Sequence, residues 1–155
     1  MTQTEKQWLS AVPWESVLTL NKALCQAQKL ESINNTGYES GQRLWEKFVL
    51  KAMDLSAALK VCRDCHDLAP FTFNNGNTFA AIGRTLVEEY LKHMPPVEAQ
   101  VIRTTIGHYI VGLIGRKELQ QVMKHFEPVL AKLPPATKAS EVSVVPILHP
   151  EAQRA

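Results

Sequence analysis

A chain of 155 residues, 45% hydrophobic and 21% charged, with 17 Lys and Arg against 15 Asp and Glu and a formal net charge of +2, is long enough to bury one substantial core. That balance excludes a disordered or fibrous chain, and it excludes the broad electropositive field that phosphate neutralisation needs, leaving only local basic patches. The longest apolar run, Ile106 to Ile114, is interrupted by Gly107, His108 and Gly112 and falls far short of the roughly 20 residues that cross a bilayer. No membrane span is therefore expected. The first residues are polar and of mixed charge, so no secretory signal is read and the expected location is cytoplasmic. Cys25, Cys62 and Cys65 are too few, and odd in number, for a disulfide framework.

The pattern along the chain is helical, with apolar residues recurring at steps of three and four. A short amphipathic piece at 5–11 leads to Pro13, well suited to the first turn of a helix carrying Val17, Leu20, Leu24 and Ala27 on one face and stopping near Leu30. The run from Ser32 to Gly37 is loop chemistry, after which Ser40 is a fitting cap. The positions Trp45, Phe48, Ala52, Leu55, Leu59, Cys62 and His66 form one seam, which predicts a single helix from Ser40 to His66, about 40 Å long. Leu68-Ala69-Pro70 ends it.

Asn77 or Thr78 is the expected cap of a third helix with Phe79, Ile82, Leu86, Tyr90 and Met94 in register, closed by Pro95-Pro96. Pro96 opens a fourth, in which Val101, Ile102, Ile106, Tyr109, Ile110, Val111, Leu113 and Ile114 predict the central helix of the fold. Gly107, Gly112 and Gly115 cost helix propensity, which predicts close approach of a neighbour. A fifth helix starts near Lys117 with Leu119, Val122, Met123, Phe126, Val129 and Leu130, kinked or broken near Pro128.

The fold class expected is therefore all-α, a compact bundle of about five helices over residues 1–133, followed by an extended Pro-containing tail over 134–155. The tail's apolar residues gather at Val142-Ser143-Val144-Val145-Pro146-Ile147-Leu148, the composition of an extended segment that lies in a groove or joins a partner's sheet edge. Val142, Val144, Val145, Pro146, Ile147 and Leu148 are accordingly the partner-binding residues expected. Trp8, Trp14, Phe71 and Phe73 fall at helix ends or loops and are contact anchors wherever they are exposed.

One short motif carries chemistry, Cys62-Arg63-Asp64-Cys65-His66. Cys-x-x-Cys-His resembles the attachment signature of c-type cytochromes, and the resemblance implies thioether-bound haem with His66 as one axial ligand and Met94, His93 or His108 as the other. The Cys-x-x-Cys pair on a helical protein also resembles the alkylhydroperoxidase-D-like, carboxymuconolactone-decarboxylase group, which implies a redox dithiol. In this chain, Ala69 stands where that group has a histidine, and Glu46 is the nearest candidate for its upstream glutamate. A third option is zinc on Cys62, Cys65 and His66 with a fourth ligand from Cys25, His93, His108 or His125, but three ligands within five residues of one continuous helix do not converge on one metal. The simplest reading keeps Cys62 as a small buried member of the seam, with His66 on the terminal helix carbonyls.

His108, in the most apolar helix, is read as a satisfied core histidine and His93 as a cap. Arg43, Lys47 and Lys51 recur every four residues, a stripe able to touch phosphate; interleaved by Glu46 and Asp54, it reads as a solvated face. No Gly-rich phosphate loop, His-Glu-x-x-His or Gly-x-Ser-x-Gly pattern occurs, so no catalytic residue is assigned and no cofactor is expected. The function expected is non-catalytic: a helical interaction or adaptor subunit of a larger assembly, binding protein through helix faces and the tail. A cofactor, metal or thiol-redox protein centred on Cys62, Cys65 and His66 is the alternative, and a nucleic-acid-bound helical subunit the third.

Overall fold

The computed structural model describes residues 5–132, with side chains as far as Pro128. It is all-helical: α1 (Trp14–Ala27), α2 (Tyr38–Phe48), α3 (Leu55–Leu68), α4 (Asn75–Leu91), α5 (Pro96–Ile110) and α6 (Arg116–Lys132), with two isolated antiparallel bridges and no strand among the described residues. None of these helices is long and apolar enough to cross a membrane.

Six helices stand where five were expected, because the seam from Trp45 to His66 belongs to two. Asp54 is the reason. Its extended backbone and its carboxylate, which accepts from the Ala57 N–H at 2.8 Å, make it an N-cap, and such a cap starts a new helix. The backbone just before it is used elsewhere: Met53 exchanges both of its hydrogen bonds with Lys6, at 2.9 and 3.0 Å. As a result Met53 is buried and the predicted seam residue Ala52 is exposed. α2 also starts earlier than Ser40, at Tyr38. Gly37 precedes it because the Leu68 carbonyl occupies the space a β-carbon would need, so the end of α3 fixes the start of α2.

Proline placed the other starts well. Pro13 precedes α1 and Pro96 opens α5. α4 begins at Asn75, two to three residues before the predicted cap, with Asn74 in the left-handed region at φ 65°. α3 ends on Ala69, also left-handed at φ 49°, immediately before the buried Pro70.

The centre of the fold is α4 rather than α5. α4 packs against α1, α3 and α5, and burial runs almost all the way round it, including Phe79, Ile82, Val87 and Leu91. Close approach is achieved on α4 as well: a β-carbon at Gly83 would collide with Ile110 and press on Ile106 and Leu59. The glycines expected to serve that purpose do other work. Gly112 takes φ +85° just after α5 with nothing near it, and Gly115 faces only Glu118. Gly107 alone meets a neighbour, Arg84. α5 packs on α3, α4 and α6 through Ala99, Ile102, Ile106, Tyr109 and Ile110, and Arg103 holds Glu88 of α4 with paired N–H donors at 2.7 and 3.1 Å.

The aromatic residues expected as contact anchors are mostly interior. Trp8, Trp14 and Phe71 are buried and only Phe73 is exposed. Trp14 stacks on Phe71 and donates to the Tyr38 hydroxyl at 3.1 Å. Trp8 is pulled in by the Lys6–Met53 bridge and lies against Tyr90. These contacts join residues far apart in sequence, and helix periodicity carries no trace of them.

Candidate functional site

Each residue of the Cys62–His66 motif is engaged within the fold. Cys62 and Cys65 are fully buried free thiols on the C-terminal half of α3, and the Cys65 thiol points at the Gly41 carbonyl, 3.6 Å away. Burial raises the Cys62 pKa well above the usual thiol value, with Cys65 adding to the effect. Burial, helped by Asp64, pushes Cys65 up to about 12. Such thiols stay protonated, and it is the thiolate that attacks or ligates. Arg63 donates to the Ile114 carbonyl at 3.1 Å and lies over the Tyr109 ring, tying α3 to the α5–α6 turn. Asp64 pairs with Lys60. His66 faces the Asp67 carboxylate at 3.2 Å, so its ring partner is a neighbouring acid rather than the helix carbonyls expected.

The other candidate ligands lie elsewhere. α3 and α4 run antiparallel, with Leu59 beside Gly83. Met94, beyond the C-terminal end of α4, is therefore at the opposite end of α3 from His66. Cys25 sits between Asn21 and Asn74, which share hydrogen bonds with it at 3.7 and 3.4 Å. His93 and His108 are exposed, which corrects the expectation of a core histidine: position 108 falls on the outer side of α5, away from the Ile102–Ile106–Tyr109 stripe. Among the described residues no group of three or more His, Cys, Asp or Glu side chains is placed to hold a metal ion.

Cys25 belongs to a polar network that the sequence motifs did not signal. Asn21, fully buried, donates to the Phe73 carbonyl at 2.8 Å and to Thr78 at 3.2 Å, and accepts from Ser32. Asn77 donates to Asn74 at 2.8 Å, and Asn75 clasps the Phe71 backbone with bonds of 2.7 and 3.0 Å. Satisfied polar groups of this kind lock a loop in place. They fix residues 71–78 against α1.

The feature left open is at the other end of the molecule. α5 is apolar on two sides over its first two turns. Ala99, Ile102 and Ile106 face the core, while Val97 and Val101, one turn apart on the outer face, are 77% and 51% exposed. Valine is a mediocre helix former, so helix propensity gives no reason for either residue on a solvated face. Val97 and Val101 line a groove of about 280 Å³ together with Met94, Ile102, Val122, Glu98 and His125. The chain reverses through Gly112, so the N-terminal half of α5 lies beside the C-terminal half of α6, and α6 turns Leu119, Met123 and Phe126 inward. Val122 is left at the edge. Sequence reasoning placed Val101 in the core. Registering the buried stripe on Ala99, Ile102, Ile106 and Tyr109 would have set Val97 and Val101 outside it.

The basic stripe is as solvated as expected: Arg43, Lys47 and Lys51 are all exposed, and Lys47 and Lys51 lie over the Phe48 ring. The partner-binding residues expected in the tail, Val142, Val144, Val145, Pro146, Ile147 and Leu148, lie outside the described residues. Comparison with protein-family models, with curated proteins and with solved structures finds no match.

Proposed function

We propose that the protein is a non-catalytic helical interaction subunit, a bundle that binds a partner protein through the outer face of α5, with the tail segment Val142–Leu148 as a further apolar element. One observation carries the reading: Val97 and Val101 stand exposed in a mostly apolar groove. An apolar face of i, i+4 residues bordering a groove is the form in which helical proteins receive an aliphatic side chain from a partner. The interior position of Cys62 and Cys65 supports a packing role for the motif, because buried protonated thiols are poor nucleophiles and poor ligands.

The test compares tagged full-length protein isolated from its own host with the Val97→Glu/Val101→Glu variant, both read by native mass spectrometry. The expected result is a stoichiometric partner on the unaltered protein that is lost from the variant, with far-UV circular dichroism unchanged. A partner retained by the variant overturns the α5 face. A mass increment matching haem or a metal ion on the unaltered protein overturns the non-catalytic reading and returns Cys62, Cys65 and His66 to the centre.

A further inference from the structure

We infer that residues 32–35, in the loop between α1 and α2, are an open sheet edge on which an uncharged, extended peptide of a partner protein docks its main chain, pairing with the N–H and C=O of Asn34. The surface is separate from the outer face of α5, and its binding role does not depend on that face.

The hydrogen bonds of two extended segments define the edge. Asn34 and Phe71 face each other in an antiparallel bridge, and the bonds that hold it come from their neighbours: the Thr72 N–H donates to the Ile33 carbonyl at 2.8 Å, and the Asn35 N–H to the Pro70 carbonyl at 2.9 Å. In a pair of this kind the main-chain groups of the two facing residues point away from each other, towards the two outer edges. On the Phe71 edge both groups are taken, because the Asn75 carboxamide accepts from the Phe71 N–H at 3.0 Å and donates to the Phe71 carbonyl at 2.7 Å. That side chain does there what the amide of a third strand would do. The Asn34 edge has no counterpart: Asn34 is exposed, and among the described residues nothing pairs with its N–H or C=O.

The surroundings suit a peptide. The edge is fixed before anything binds, since Phe71 is buried and stacked on Trp14 and Phe79, and Ser32 donates to the buried Asn21; little ordering on this side then opposes association. Ile33, Phe73 and Leu68 adjoin the bridge with their side chains exposed, so a peptide residue opposite Ile33 is best aliphatic or β-branched. Edges that are kept from pairing carry lysine, proline or an inward charge. Residues 32–36 read Ser-Ile-Asn-Asn-Thr, with none of these. Main-chain pairing then supplies the attachment and the apolar flank the selectivity, the division of labour found where a peptide adds a strand to a sheet.

The experiment titrates nitrogen-15-labelled full-length protein with the blocked pentapeptide acetyl-Thr-Val-Thr-Val-Thr-amide and follows the amide resonances by NMR. A saturating shift of the Ile33 and Asn34 amides is expected, and its loss is expected with the same peptide N-methylated throughout, which keeps the side chains and removes every main-chain donor. Unmoved Ile33 and Asn34 resonances overturn the inference. An equal shift with the N-methylated peptide also overturns it, because the contact is then apolar and not an added strand. A shift of these resonances on concentrating the protein alone overturns it as well, since the edge is then taken by a second copy of the chain.

Discussion

α4 and α5 are neighbours of similar length that share a packed interface, yet 12 of the 17 residues of α4 are buried against 6 of the 15 in α5. Composition does not separate them, since α5 carries as many large aliphatic side chains as the fold's centre needs. Placement does. In α4 the apolar residues meet α1, α3 and α5; in α5 two valines stand largely exposed at the edge of the groove that α6 borders. An apolar residue inside the core is explained by stability, whereas neighbouring exposed ones such as Val97 and Val101 form the patch on which the proposed binding role rests.

The sharpest contrast is chemical. At pH 8, Cys65 in the native protein is expected to react with iodoacetamide about a thousandfold more slowly than in the unfolded chain, because raising its thiol from about 9 to about 12 removes three decades of thiolate, and Cys62, also raised by burial, is expected to be slowed as well. Peptide mapping after timed labelling reads this, and equal rates would place the pair at a working surface. The same shift sets a pH dependence. A thiol that ionises higher in the folded state holds its stabilisation below the unfolded value of about 9 and loses it as pH climbs towards 12. Guanidinium unfolding should therefore weaken between pH 9 and 11, and Cys65→Ala should flatten that slope.

Next in size is the packing at the centre. Phe79→Ala removes a fully buried ring that stacks near Phe71 and Trp45 and is expected to cost about 3–5 kcal/mol, measured by chemical denaturation. Asp54→Ala takes away the carboxylate that starts α3, with an expected cost of about 1 kcal/mol. Smallest of all, Val101→Lys on the outer face of α5 is expected to change stability by less than about 0.5 kcal/mol. A large loss there would mean that α5 is already covered, and the contrast between the two helices would fall.

The residues also show why some of this was legible in sequence and some was not. Pro13, Pro96 and Leu68-Ala69-Pro70 act locally, through fixed φ and a missing N–H, so the starts of α1 and α5 and the end of α3 could be read directly. The steps of three and four from Trp45 onward continue through a break, because two helices packing on one core repeat the same spacing; Asp54 carried the only local signal against continuity. Val101 and His108 were put inside on apolar composition, which cannot say where the buried stripe lies when both sides of a helix are apolar. The motif at Cys62 had the right spacing for three chemistries, but spacing is silent on burial, and burial determines whether a thiol reacts.

The bridge between Lys6 and Met53 has a consequence for how the chain is made. Residues 5–12 are synthesised before their anchors: counted from Lys6, Met53 lies 47 positions downstream, and Tyr90, which receives the Lys6 ammonium, lies 84 positions downstream. Trp8, which lies against Tyr90, therefore stays without its seat until α4 has emerged, so this segment is made before α4 and packed only after it.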